Sequence, residues 1–396
     1  MHRLLALTAV VCALGTTAKA DTFVVLPFYN VSKSANLDWI GESLSESIRE
    51  ALASEDLVTL DRDERVEAYR RLSIRPYAIL TRASAIKIAE TLDADKVVYG
   101  QFDLKARPAG STATKGTLQI TARLLDLKHL RQGPELTETG SLEDLAILQR
   151  HLAWQTLQFI KGTAAPSEAE FNKRHPGIRL DALENYTRGL LAATPDEKHH
   201  FFTQAARLDP SFSQASFQLG KLHFAKKEYK SAAEWLQKVS PADVHFREAN
   251  FLLGVCLYET GEFALAQNAF QTVAKSVPLN EVLNDLGAAQ SRRNLPEALD
   301  SFQKALEGDP SDPDYQFNVG YALWKRGSFD VAAERFRAAL ARDPQDAQAT
   351  AMLDRCAKRS GPRVGDTKTE RLERLKTNYQ ESAWWQLKAA LQPEKP

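Results

Sequence analysis

Few residues of this chain have the type and spacing that catalysis requires. The stretch GESLSES at 41–47 contains serines but lacks the strand-to-glycine turn that exposes a nucleophilic serine. His199 and His200 point to different faces of any helix, which favours a solvated helix start over a metal site. Cys256 and Cys356 occupy the same position in two related segments, which favours buried small side chains over reactive thiols. Phosphate-binding glycine motifs are also lacking, so we predict a non-enzymatic protein without a metal or cofactor.

The residues that do recur at regular spacing are small and aromatic. In LGVCLYETGEFALAQNAFQTVAKSVP at 253–278, Ala266 and Phe270 share one face of a predicted second helix. Gly261 stands at the turn before this helix, where a positive φ favours glycine. One such helix pair cannot bury its own apolar face, so copies are required. Copies lie at intervals of 34, 33 and 33 residues, marked by Gly220, Gly254, Gly287 and Gly320.

A period near 34 residues, with small, aromatic and proline positions in this order, resembles the tetratricopeptide repeat. The resemblance implies an all-α solenoid over residues 181–360, with about five repeats and a partial one. The segment 369–391 carries Leu372, Leu375 and Tyr379 at helical spacing. Because such arrays must cover their last apolar face, we predict a C-terminal capping helix there.

In a tetratricopeptide superhelix the first helix of each repeat lines an inner groove, and the resemblance implies the same arrangement here. The predicted face is rich in aromatic residues, although the whole chain is only 9% aromatic. Exposed aromatics that cluster mark binding surfaces. The candidate protein-binding residues are Phe217, Lys221, Phe224, Phe251, Tyr258, Asn284, Phe317, Tyr321 and Trp324. The same spacing also allows some of these rings to pack between repeats instead, in particular Phe217 and Phe251.

The third repeat of this face is polar. It places Asn284 and Ser291 between two aromatic patches, which suits an amphipathic helix or an extended peptide with apolar anchors at both ends. Only Lys221 and Asn284 suit a clamp for the carboxylate end of a ligand, so that class of ligand is disfavoured.

Residues 21–160 have a different pattern. TFVVLPF is typical of a buried strand, and LDWIGESLSESIREAL has the spacing of a helix. KVVYGQFDL and GTLQITARLLDLK are predicted to pair as strands, and SLEDLAILQRHLAWQTLQFI to form a closing helix. The mixed charges from Asp61 to Arg65 indicate a solvated face. The pattern predicts an α/β domain with a mixed sheet and helices, joined to the array by a polar linker at 161–180.

Three pieces of this domain, VVLPFYN, LDWIGESLSESIREAL and AETLDADKVVYGQF, resemble in order the TolB amino-terminal-like domain. That domain also occurs fused to tetratricopeptide arrays in bacterial envelope and signalling proteins. Because the matching positions are mostly apolar, the resemblance implies a fold and an envelope setting rather than an activity.

The start of the chain predicts export. Residues 1–20 combine Arg3, an apolar run from Leu4 to Leu14 and a small-residue pattern, which is typical of a secretory signal peptide cut after Ala20. The apolar run is too short to span a bilayer. The chain has 51 basic and 51 acidic residues, and removal of the signal peptide leaves a net charge of about −2. Neither nucleic acid nor an anionic membrane is therefore an expected partner.

Together these features predict a non-enzymatic periplasmic or secreted scaffold that binds peptide or helix segments of envelope proteins through its repeats. The alternative is an accessory subunit of an envelope or signalling complex that acts mainly through the TolB-like domain.

Overall fold

The computed structural model describes residues 21–32, 34–105, 116–362, 371–381 and 383–385. The predicted signal peptide at 1–20 lies outside these residues. Within them, no helix is long and apolar enough to cross a membrane.

The amino-terminal domain is built on a mixed sheet. Its strands are β1 (Thr22–Val25), β2 (Tyr29–Asn30), β3 (Val58–Thr59), β4 (Lys96–Lys105), β5 (Thr117–Asp126) and β6 (Arg131–Ser141). The order across the sheet is β3-β1-β4-β5-β6, and β2 pairs with β4. β1 runs parallel to β3 and β4, whereas β4, β5 and β6 form antiparallel pairs. The predicted mixed sheet is therefore confirmed.

Helices cover both faces of this sheet. They are α1 (Trp39–Ala53), α2 (Arg62–Arg71), α3 (Arg82–Thr91) and α4 (Leu145–Lys161). Phe23 and Val98 are buried on the face that carries α1 and α4. Val24 and Val97 are buried on the opposite face, with α2 and α3. Neighbouring residues of one strand enter different cores because side chains alternate across a sheet.

The charged stretch from Asp61 to Arg65 is not simply a solvated face, as the sequence had indicated. It begins α2, because the Asp61 carboxylate accepts a hydrogen bond from Glu64 N while the Glu64 side chain accepts one from Asp61 N. Arg65 is buried, pairs with Glu42 and donates to Val25 O at 3.0 Å. The charge of Arg65 therefore helps to join α1 and α2 to the sheet.

The predicted linker at 161–180 is folded against the domain. α5 (Glu168–Arg174) lies within it and buries Phe171 in the core shared with α1 and α4. Trp154 Nε1 donates a hydrogen bond to Pro166 O at 3.1 Å and so fixes the chain just before α5. The same apolar core extends into the first repeats, so the junction between the two parts of the chain is closely packed.

The rest of the described chain is mainly helical. Its helices are α6 (Leu180–Leu191), α7 (Pro195–Leu208), α8 (Ser213–Ala225), α9 (Tyr229–Leu236), α10 (Phe246–Glu259), α11 (Phe263–Ala274), α12 (Asn280–Arg292), α13 (Ala298–Gly308), α14 (Pro313–Lys325), α15 (Phe329–Arg342) and α16 (Ala347–Ala357). They pack as successive pairs, from α6 with α7 to α14 with α15, and α16 follows on α15. The predicted fold class, an α/β domain followed by a helical solenoid, is confirmed.

Small residues let the helices of a pair approach closely. A Cβ atom on Gly254 would lie 2.6 Å from the Phe270 ring, a distance at which something must shift. At the turn between these helices, Gly261 has a φ of 88°, in the left-handed region that glycine tolerates. The two glycines thus explain the spacing that made the repeat visible in the sequence.

Candidate protein-binding groove

One surface of the array is occupied by the chain's own residues 371–381, which we call the C-terminal segment. The segment runs against the direction of the array: Leu372 packs near α14 and α16, whereas Tyr379 packs near α10. We call the surface beneath it the groove. The groove comprises Arg247, Phe251 and Tyr258 on α10, Glu281, Asn284, Asp285 and Ser291 on α12, and Asp314, Phe317 and Asn318 on α14.

Two asparagines hold the main chain of the segment at Arg374. Asn318 Oδ1 accepts a hydrogen bond from Arg374 N at 2.9 Å, and Asn318 Nδ2 donates to Arg374 O at 2.8 Å. Asn284 Nδ2 donates to the same carbonyl at 2.7 Å. Asn318 Nδ2 also donates to Asn284 Oδ1 at 2.7 Å, so the two amides orient one another. Both asparagines are fully buried, which makes these amide contacts costly to leave unmade.

Two acidic side chains of α12 bind the main chain further along. Lys376 N donates to Asp285 Oδ1 at 2.9 Å, and Gln380 N donates to Glu281 Oε1 at 3.1 Å. The groove thus supplies hydrogen bonds that a helix would make internally. Residues 371–380 contain no helical turn, so the predicted capping helix is wrong over this stretch. Residues 381 and 383–385 are helical, in agreement with that prediction, whereas 369–370, 382 and 386–391 lie outside the described residues.

Charge holds the side chains of the segment. Lys376 Nζ lies 2.8 Å from Asp312 Oδ2 and 2.7 Å from Asp314 Oδ2. Arg374 Nη1 lies 3.3 Å from Asp314 Oδ1, and Arg374 Nη2 lies 2.6 Å from Asp346 Oδ2. The two aspartates beside it raise the pKa of Lys376, although burial acts in the opposite direction. Three carboxylates therefore face two cations.

Glu373 points the opposite way, into the array. Ser291 Oγ donates to Glu373 Oε1 at 2.7 Å, and Tyr258 Oη donates to Glu373 Oε2 at 3.3 Å. Arg292 Nη1 lies 3.9 Å from the same carboxylate. An acidic residue of the segment thus fits a polar position of the groove.

Aromatic contacts complete the site. The Tyr379 ring stacks on Phe251, with ring centroids 5.2 Å apart. The Arg374 guanidinium lies 3.7 Å from the centroid of Phe317, a favourable cation–π distance. Leu375 packs against the apolar cores of the middle repeats. Apolar and cationic side chains of the segment therefore both rest on rings of first helices.

The structure brings together four of the candidate residues that the sequence indicated. Phe251, Tyr258, Asn284 and Phe317 all contact the C-terminal segment. Asn284 does so between the two rings, as the polar third repeat had suggested.

Three other candidates lie away from the described part of this segment. Phe217 is buried and stacks on His245 at 4.5 Å, which is the packing role left open by the sequence. Lys221 Nζ pairs with Glu248 at 3.1 Å. Phe224 makes an edge contact with Tyr229, with centroids 5.9 Å apart.

Tyr321 and Trp324 are not the exposed anchors that the sequence predicted. Tyr321 is 1% exposed and Trp324 is 0% exposed. Trp324 Nε1 donates to Ser360 O at 2.8 Å, and the Arg355 guanidinium covers the indole at 4.1 Å. Both rings are buried because α16 and the chain after it close over the last repeat pair.

Several residues that contact the C-terminal segment were not among the candidates that the sequence indicated, and two of them are the buried residues Asp285 and Asn318. Asp285 and Asn318 each stand two residues before the glycine of a first helix, Gly287 and Gly320. The available signal was a polar residue two positions before the glycine of the first helix in two successive repeats. Burial raises the pKa of Asp285 well above its ordinary value, against the opposing effect of its hydrogen bonds from Lys376 and Asn284.

The two cysteines after residue 20 and the possible metal ligands of the described residues are the other reactive groups that the sequence raised. Cys256 and Cys356 are free and buried, as the repeat position predicted, and burial raises the pKa of Cys256 to about 12. Among the residues that the structure describes, no group of three or more His, Cys, Asp or Glu side chains could hold a metal ion.

Comparison with known proteins identifies the family of the repeats. A family model described as tetratricopeptide repeat matches residues 199–243, 251–313 and 287–347. The helices between α7 and α15 therefore carry tetratricopeptide repeats. No curated protein sequence is significantly similar to this chain.

Solved structures with a similar repeat fold include YrrB, MamA and PilF. YrrB, described as a TPR protein with an unusual peptide-binding site, is 23% identical, with a TM-score of 0.41 over 46% of this chain and 93% of YrrB. MamA from Desulfovibrio magneticus is 21% identical, with a TM-score of 0.37 over 42% of this chain and 96% of MamA. Pseudomonas aeruginosa PilF is 21% identical, with a TM-score of 0.36 over 45% of this chain and 80% of PilF. At these identities the likeness concerns the repeat fold alone.

Proposed function

We propose that this protein is a non-enzymatic scaffold that binds extended segments of other proteins in its groove. The observation that carries the proposal is the pair Asn284 and Asn318, which bind both the N–H and the C=O of one residue in an extended chain. Main-chain hydrogen bonds supply affinity without requiring one sequence, while neighbouring pockets select side chains. The groove is thus built to receive a polypeptide rather than a small molecule.

We also propose that the scaffold acts in the periplasm or outside the cell, after cleavage behind Ala20. The support is the signal-peptide pattern of residues 1–20. Sequencing the amino terminus of the mature protein tests this proposal: a start at Asp21 supports export, and an intact Met1 contradicts it.

Photocrosslinking in cells tests the role of the groove. A photoreactive residue in place of Glu281, in the groove, should give adducts with a partner protein. The same residue in place of Lys275, exposed at the end of α11, should give none. Partner adducts that never arise from groove positions would contradict the proposal.

A second function is favoured by one observation on the amino-terminal domain. Val66 on α2, together with Tyr77 and Ile79 in the loop after it, are exposed apolar side chains, and Ile79 is 66% exposed. Exposed apolar residues grouped in one part of a domain suit a partner surface. Partner adducts from Ile79 and none from Glu281 would favour an accessory subunit that acts through this domain.

A further inference from the structure

We propose that the natural ligand of the groove is a partner segment with an acidic residue followed by an arginine, an apolar residue and a lysine, and an aromatic ring three residues further on. The C-terminal segment has this pattern in Glu373, Arg374, Leu375, Lys376 and Tyr379 and occupies the place of the ligand. This inference rests on the proposed function and names the chemistry of the partner.

Main-chain contacts alone do not select this pattern. The hydrogen bonds of Asn284, Asn318 and Asp285 reach N–H and C=O groups, which every extended segment offers. Selection must therefore come from the side chains.

The acidic side of the groove selects for cations. Asp312 caps α14 and accepts hydrogen bonds from Asp314 N at 2.8 Å and Tyr315 N at 3.1 Å. Asp346 caps α16 in the same way, accepting from Ala349 N at 2.9 Å. Because these caps belong to the helices, the carboxylates keep their positions when the segment leaves. An empty groove then presents a fixed cluster of negative charge, which attracts a basic segment.

Arginine suits the first cationic position better than lysine. Its planar group bridges Asp314 and Asp346 while its face lies on Phe317. A lysine ammonium is a compact point charge that cannot make both contacts in this geometry. The second position holds a lysine between Asp312 and Asp314, where a point charge is sufficient.

The acidic and aromatic positions fix the register. Ser291 and Tyr258 donate hydrogen bonds to the Glu373 carboxylate. A shift of the segment by one residue would replace this carboxylate with Arg374, which Arg292 repels, or with Leu372, which leaves both donors without an acceptor. Tyr379 stacks on Phe251 at the far end and anchors the segment there. A partner must match the charge order as well as the charge total.

Competition with the tethered segment sets how strongly a partner binds. A tethered ligand has an effective concentration in the range of about 1 mM, so an untethered copy of the same sequence is strongly disadvantaged. A partner displaces the segment when it binds more tightly or is presented at high local concentration. Weakening the chain's own segment should therefore expose the groove to peptides in solution.

Fluorescence anisotropy on the chain from residue 21 to 396 tests this proposal. The probe is a labelled peptide with the sequence of residues 371–381. The opened variant carries Arg374→Glu and Lys376→Glu, which place negative charge opposite the three aspartates. We expect the probe to bind the opened variant at least about 10-fold more tightly than the unaltered chain. A peptide carrying the same two glutamates should bind the opened variant at least about 10-fold more weakly than the probe.

A matched variant controls for net charge. Lys230→Glu and Lys275→Glu make the same charge change at exposed positions on α9 and at the end of α11. This control should bind the probe as weakly as the unaltered chain does.

The outcomes distinguish the proposed function, which is peptide binding in the groove, from the proposed selection for cationic side chains. If the folded opened variant binds neither peptide, the groove does not receive peptides and the proposed function fails. If it binds both peptides equally, the function stands and the selection for cations is wrong. A concentration-dependent dimer formed by exchange of these segments would make a second copy, rather than a foreign partner, the ligand.

Hydrogen exchange of the unaltered chain keeps the proposal testable if the opened variant does not fold. Amides of residues 374 and 376 should exchange at least about 100-fold faster than amides in the middle of α14, because an exchangeable ligand opens without unfolding the array. Equal protection would show that the segment is a fixed part of the fold and would overturn the proposal.

Discussion

The repeat array is covered in two places by different kinds of contact. At the amino-terminal end, α1 packs against α6, and Phe171, Tyr186 and Phe202 belong to one apolar core that extends to the sheet. Along the groove, from α16 back to α10, the C-terminal segment is held largely by amides, carboxylates and rings. Apolar burial cannot be replaced by a passing partner without exposing a core, whereas hydrogen bonds and ion pairs to an extended chain can be re-formed by another chain. The first cover is therefore part of the fold, and we propose that the second is exchangeable.

The junction also contains charge, but there both charged partners belong to the folded helices, and the Glu50 side chain is 15% exposed. Glu50 of α1 accepts a hydrogen bond from Gln214 Nε2 at 3.2 Å and lies 3.8 Å from Arg49 Nη2. A cavity of about 280 Å³ lies beside it, lined in part by Tyr186 and Asp243. The groove carboxylates, by contrast, face cations that belong to a replaceable segment.

The largest difference in stability should come from truncating one aromatic ring in the junction and one in the C-terminal segment. Phe171→Ala should reduce the free energy of unfolding by about 3–5 kcal/mol, because it empties a fully buried site in the junction. Tyr379→Ala should reduce it by no more than about 1 kcal/mol, since the ring is partly exposed and its segment can detach. Urea denaturation followed by circular dichroism measures both. Equal losses of unfolding free energy in the two variants would mean that the C-terminal segment is as much a part of the fold as the junction is.

The corrected placement of two rings predicts a second large effect. Tyr321→Ala and Trp324→Ala should each destabilise the array by about 3–5 kcal/mol, as Phe336→Ala should, because all three side chains are buried. Melting curves of the three variants test this comparison. If Trp324→Ala melts like the unaltered chain, the indole is a surface anchor after all.

The free energy of unfolding should depend on pH because of Glu50 in the junction. Burial raises the pKa of Glu50 from its ordinary 4.5 to about 7, although Arg49 and His245 act in the opposite direction. The folded state holds this proton more tightly than the unfolded state, so stability falls as the pH rises from 4.5 to about 7. Glu50→Gln should therefore raise the free energy of unfolding at pH 8 by on the order of 2 kcal/mol and change it little at pH 4.

His245 is a second titratable group of the junction whose pKa is shifted. Burial lowers its pKa, but the hydrogen bond and charge of Asp243 outweigh this effect and raise it. Its contribution to stability also falls as the pH rises. Because Glu50 and His245 each shift the pKa of the other, the difference between the unaltered chain and Glu50→Gln reports the titration of the coupled pair. A difference that does not depend on pH would show that the Glu50 carboxyl is solvated.

Removing one amide from the groove should have the smallest effect on global stability. Asn318→Ala should lower the free energy of unfolding by about 1 kcal/mol and increase exchange of the Arg374 amide, because both of its main-chain partners lose a hydrogen bond. Asn268→Ala, at an exposed position of α11, is the matched control and should change neither quantity. Loss of the whole array in Asn318→Ala would instead assign this asparagine to the core.

The spacing of residues was sufficient to predict those helices and strands whose packing partners lie nearby in the chain. Gly254, Ala266 and Phe270 predicted a helix pair because the contacts between its helices span only one repeat. The alternation of Leu118, Ile120 and Ala122 likewise predicted a strand with one buried face, and all three side chains are buried. The capping pattern of Asp61 and Glu64 was also local, and it could have revealed α2.

Contacts with residues distant in the sequence determined the conformation of β6 and of the C-terminal segment. β6 has no apolar alternation and becomes a strand because β5 offers hydrogen-bonding groups along its edge. The C-terminal segment has helical spacing in its sequence but is extended, since Asn284, Asn318 and Asp285 satisfy its main chain. Those partners come from repeats that lie 56–91 residues earlier. The sequence by itself determined the repeat, because its period is local, whereas only the tertiary structure decided what fills the groove, because a main chain follows whichever side chains can bind it.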